Sequence, residues 1–106
     1  MGALADHSHL GDPIAMEQLA AELTQRAEAV AEIGISLERQ AEMVPFEGPA
    51  AERLRADMER RRRRARGIAE QLQAAAHTLR RGAASVRERI YELELAERRR
   101  RDEGDG

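Results

Sequence analysis

The chain has 106 residues, enough for one domain, with 42% hydrophobic and 36% charged residues. It has no cysteine and no tryptophan, which excludes a disulfide scaffold, a thiolate zinc site and a thiol nucleophile. All 18 basic residues are arginine; against 20 acidic groups they leave a net charge of −2.

That charge is unevenly spread. Residues 1–50 carry nine acids and two arginines (net −7), and residues 51–106 carry eleven acids and sixteen arginines (net +5). Opposite halves attract if the chain folds back on itself, and a basic half also raises nucleic-acid binding as an alternative. Abundant Ala, Glu, Arg and Leu, with Phe46 and Tyr91 the only aromatics, favour long helices and coiled coil over strands.

The opening MGALADHSHLGD lacks the basic start and apolar run of a secretory leader, and no stretch approaches the roughly 20 apolar residues of a membrane span. Residues 1–12 are expected to be a disordered tail. His7-x-His9 there could bind a metal only weakly, and neither that pair nor His77 lies near another His or any Cys, so no metal site is expected.

Asp12-Pro13 is a helix start, with Asp as N-cap and Pro where its missing N–H costs nothing. From there an apolar residue recurs every seventh position: Met16, Leu23, Val30, Leu37 and Val44. With these as a, the d row is Leu19, Arg26, Ile33 and Gln40, and the e row is Ala20, Ala27, Gly34 and Ala41. An apolar a row beside small e residues predicts a face that another helix approaches closely, with Gly34 retained for that approach. The pattern predicts a first helix over about 13–43, ended by Val44-Pro45.

Residues 44–49 then read as a turn, with two prolines around Gly48. The heptad restarts at Pro49. Its a row is Ala51, Met58, Ala65, Leu72, Leu79, Val86 and Leu93, and its d row is Leu54, Arg61, Ile68, Ala75, Gly82, Arg89 and Ala96. This predicts a second helix over about 49–100, followed by a polar tail over 102–106 and making the hairpin domain 13–101. The predicted fold class is all-α, a two-helix antiparallel hairpin. So thin a hairpin cannot cover its own seam, so it is expected to dimerise into a four-helix bundle. The expected interface comprises Met16, Leu19, Leu23, Val30, Ile33, Leu37, Leu54, Met58, Ile68, Leu72, Leu79, Val86 and Leu93. The longer second helix should overhang the first by roughly 20 residues, near 81–101.

A helix of about 30 residues, an aromatic-x-Gly turn at Phe46-Glu47-Gly48 and a second helix opening FEGPAAERLRADM resemble the Trp-x-Gly helical-hairpin (ESAT-like) family of type VII (ESX) secretion. Phe46 stands where that family has Trp. The resemblance implies a non-enzymatic protein that pairs with itself or with another small helical hairpin for export. It also implies a secretion ATPase or a co-secreted effector as further partner. Localisation would be secreted without a signal peptide, or cytoplasmic before export. The family's Tyr-x-x-x-acidic signal is absent, because Leu95 stands four residues after Tyr91. The chain would then be either the partner subunit without its own signal or not a secretion substrate. Tyr91 and Leu95 form an outward i,i+4 pair, a candidate docking patch.

Arg60 to Arg64 and Arg98 to Arg101 invite comparison with basic DNA-reading helices. The first run interrupts an established heptad, follows Asp57 and Glu59, and has no Asn or aromatic to read or stack bases. At a d position Arg61 is expected in the seam, paired with an acid of helix 1 or with its stem packed and its head in water. No phosphate loop, nucleophile elbow or paired carboxylates point to catalysis, and no cofactor is expected. A self-associating coiled-coil scaffold or regulatory subunit is the main alternative reading, and an Arg-rich nucleic-acid binder the weaker one.

Overall fold

The computed structural model describes residues 11–104, and over them the chain forms two helices: α1, Pro13–Glu42, and α2, Pro49–Gly104. The predicted tail 1–12 lies outside the described residues except for Gly11 and Asp12, as do His7 and His9. Asp12 caps α1 as its residue type predicts. Its Oδ1 accepts from the amides of Ile14 and Ala15 at 3.0 and 3.2 Å, satisfying donors that the first turn otherwise leaves unpaired.

The connection Met43–Gly48 reverses the chain. Gly48 has φ of +107°, in the left-handed region that a Cβ disfavours, and a Cβ placed there meets nothing within 4 Å. The requirement is therefore purely one of backbone. Gly48→Ala should destabilise the hairpin by about 1 kcal/mol or slightly more, read as a lower melting temperature with unchanged helicity before the transition.

A residue that the sequence pattern did not single out closes the turn. Arg55, one turn into α2, donates through Nη2 to the carbonyls of Phe46 at 3.0 Å and Val44 at 3.4 Å. The extended connection thus runs beside the opening turns of α2. This sets the register: Val86 lies beside Gly11, and Arg87 pairs with Glu17, so the start of α1 lies level with 82–87 of α2. The overhang consequently begins near residue 88, not 81, and α2 continues helical to Gly104, past the expected end near 100 and through three residues assigned to the polar tail. The molecule is a rod 87 × 18 × 16 Å.

The seam between the helices is built on alanine. Ala20 and Ala27 of α1 and Ala51, Ala65, Ala69, Ala76 and Ala83 of α2 are buried, and among the described residues no larger side chain is. These are a and e positions. The a residues Met16, Leu23, Val30, Leu37, Met58, Leu72, Leu79 and Val86 are half-buried. The large aliphatic d residues lie outside the seam: Leu19, Ile33, Leu54 and Ile68 are all exposed. The expected a/d seam is thus an a/e seam within the hairpin. Alanine at e lets the backbones approach, whereas d carries Arg26, Gln40, Arg61 and Arg89, which gain nothing by leaving water.

Gly34 sits against α2, where a Cβ would find the Ala65 Cβ at 3.7 Å and the Arg62 carbonyl oxygen at 3.8 Å. Those are ordinary van der Waals separations, so closeness does not demand glycine. Gly34→Ala should stabilise the hairpin by up to about 1 kcal/mol through helix propensity, measured by urea unfolding. Gly82 is tighter, since its Cβ would stand 2.8 Å from the flexible methyl of Met16.

Candidate functional site

The plane of the two helices divides the surface into two long faces. One carries the d row, with Leu19 and Ile33 from α1 and Leu54 and Ile68 from α2. Its borders are small or polar, including a shallow depression lined by Thr78, Arg81, Gly82 and Ser85. Four exposed branched aliphatics along one face make a surface suited to another helix pair, because a single hairpin gains nothing by leaving them in water.

The other face carries the ties between the helices. Arg87 pairs with Glu17 and Arg80 Nη2 donates to Thr24 Oγ1 at 3.0 Å. Beyond them a groove of about 360 Å³ opens, floored by Ala31, Gly34 and Ala69, with Ile35, Glu38, Arg62, Arg66, Glu70 and Gln73 around it. The small floor residues create it.

The arginine run is largely answered by acids of its own helix. Arg60 and Arg61 pair with Asp57, Arg62 and Arg63 with Glu59, and Arg66 with Glu70. Arg61 is therefore not in the seam; it is exposed and 3.1 Å from Asp57, because d faces outward. Arg62 clasps Glu59 through two bonds, Nε to Oε2 at 2.8 Å and Nη2 to Oε1 at 2.7 Å. These bonds hold the Glu59 carboxyl below its ordinary range and push Arg62 up. The pair's contribution is present above the ordinary carboxylate range and fades as pH falls through the lowered Glu59 value. Exposed pairs of this kind add little stability, but they offset much of the positive field a polyanion would need.

Phe46 is exposed at the hairpin tip, 47% accessible, beside Gly48. At the other end Tyr91 is exposed and Leu95 half-buried, on a stretch of α2 that α1 does not reach. Val86 meets the start of α1, whereas Leu93 lies on the overhang. His77 is exposed, and no cluster of metal-ligating side chains occurs among the described residues. Among the described residues no helix is long and apolar enough to cross a membrane. Against family models, curated proteins and solved structures, the chain has no match.

Proposed function

We propose that this chain is a helical-hairpin interaction protein that works by pairing, face to face, with itself or another hairpin into a four-helix bundle. In the type VII secretion context that its Phe46-Glu47-Gly48 turn resembles, this pair is the exported unit. The observation that carries the pairing is the exposed row Leu19, Ile33, Leu54 and Ile68 on a hairpin whose buried core is alanine alone. Alanine buries too little apolar area to stabilise two helices of 30 and 56 residues by itself. The overhang with Tyr91 and Leu95 is the surface for a secretion ATPase or a co-secreted effector.

The test is mass in solution by light scattering at low micromolar concentration, with circular dichroism on the same sample. A helical dimer of twice 11.9 kDa means self-pairing. A poorly helical chain that becomes helical when co-expressed with another small hairpin protein means hetero-pairing. A fully helical monomer that melts cooperatively, with no gain from a partner, refutes the reading. Export is tested separately: the chain should appear in the medium of a type VII-competent cell and vanish when the secretion ATPase is deleted.

A further inference from the structure

The stripe of α2 that packs on α1 does not stop where α1 stops. We infer that residues 1–10 of the same chain lie over its continuation, the apolar pair Ile90 and Leu93, and close the open end of the seam. The contact is on the a/e side of the overhang and is independent of how the d-row face is filled.

Along the hairpin the inner side of α2 alternates e and a residues: Ala69, Leu72, Ala76, Leu79, Ala83 and Val86, each buried or half-buried. The next two positions of the same stripe are Ile90 and Leu93, both apolar, and the two after them, Glu97 and Arg100, end it. Gly11 lies beside Val86 and Met16 against Gly82, so Pro13, the first residue of α1, is level with about residue 85. Ile90 and Leu93 therefore stand about 7 and 12 Å beyond the start of α1. The e row changes size at this boundary. It is alanine at 69, 76 and 83, where α1 is close, and isoleucine at 90, which would hold a helix backbone off. The occupant of that position is not a helix seated as α1 is.

Gly11 shows which segment reaches it. A Cβ there would lie 3.8 Å from Val86 Cγ2 and 3.8 Å from Met16 Sδ, so the backbone at residue 11 runs over the end of the stripe itself and not to one side of it. Residue 10, the next upstream, is a leucine, and Ile90 is one helical turn, about 6 Å, past Val86. Ten residues can span up to about 33 Å, against about 10 Å from Val86 to Leu93, so Leu4 and Ala5 also come within reach of the pair. A second copy or an unrelated chain on this stripe meets a limit of size. Two aliphatic side chains bounded by Glu97 and Arg100 offer far less than the roughly 800 Å² per partner of a stable interface. A segment of the same chain needs no such area, because its tether holds it near the stripe at millimolar effective concentration. Tyr91 and Leu95, at f and c, lie on the far side of α2 from this contact and stay open to a partner.

With no native cysteine, the contact is read by disulfide formation in the full chain. Leu10→Cys with Ile90→Cys should give an intrachain disulfide, since docking brings the two Cα atoms within the roughly 7 Å that the bond spans. Leu10→Cys with Leu95→Cys has nearly the same tether but places one thiol on the far side of α2, and should oxidise at least about tenfold more slowly. Equal rates for the two pairs would mean a tether without docking and overturn the proposal, as would no 10–90 link. Separately prepared Leu10→Cys and Ile90→Cys chains, mixed at low micromolar concentration, should not link to each other; a disulfide between them would assign the stripe to a second copy and overturn it too. A second readout needs no thiol. Leu4→Asp with Leu10→Asp should raise amide hydrogen exchange over residues 88–95 at least about threefold while 69–83 keeps its wild-type protection. Unchanged exchange over 88–95 overturns the proposal. The 10–90 link should form equally in the Ile33→Asp/Ile68→Asp chain, so loss of d-row pairing leaves it intact, and its own failure leaves the d-row reading standing.

Discussion

Leu72→Asp is expected to unfold the hairpin, with loss of most of the helical circular dichroism signal at room temperature. Leu72 lies in the a row of α2, half-buried among the seam alanines that flank it at 65, 69 and 76. Aspartate there removes the apolar side chain and forces a carboxylate toward the alanine-lined contact. Loss of a partly buried leucine costs about 2 kcal/mol or more, and setting an unpaired charge against apolar surface adds to it. A domain of this size commands only about 5–10 kcal/mol in total, and an alanine core places it at the low end. Leu79→Asp should do the same. A Leu72→Asp chain with wild-type helicity and melting temperature would show that the seam does not hold the hairpin.

The paired substitution Ile33→Asp with Ile68→Asp is expected to behave differently: helicity of the hairpin largely kept, association through that face lost. Ile33 is 55% and Ile68 41% exposed in one hairpin, so neither aspartate loses much water there. In a face-to-face bundle the same four carboxylates, two per chain, would be buried against each other without partners, costing several kcal/mol and about a thousandfold or more in affinity. Light scattering across a concentration series measures this. If the double variant associates as wild type does, the d row is not the pairing face. The two experiments together separate the seam that folds the chain from the face that recruits a partner, a division between a and d positions that the heptad pattern alone does not make.

The Asp12-Pro13 start, the Pro/Gly turn and the restart at Pro49 were all legible, because caps and breakers act within a few residues and depend little on distant contacts. The apolar a row and the small e row were legible too, and together they are the observed seam. Coiled-coil periodicity places the d row in the seam as well, and here periodicity runs out. An apolar residue every seventh position, flanked by small residues on one side and mixed residues on the other, fits two rotations of the helix about its axis. Only the second helix chooses between them, and close approach over Ala20, Ala27, Ala69, Ala76 and Ala83 chose the alanine side.

Register was invisible for a related reason. The overhang starts near residue 88 because Arg55 holds an extended connection against the first turns of α2, a contact between residues 9 and 11 apart. Arginine at an e position carries no mark of that role. Nor does the periodicity show that Arg61 turns outward to Asp57 and not into the seam, since that depends on which stripe of α2 the first helix covers. The amino-acid sequence by itself determined two helices, their caps and the turn between them, through local sterics and hydrogen-bonding demand. Which stripe each helix buries, how the helices are registered and which faces remain for partners were decided only in the tertiary structure, because they follow from bringing together side chains as much as seventy residues apart, such as Glu17 and Arg87.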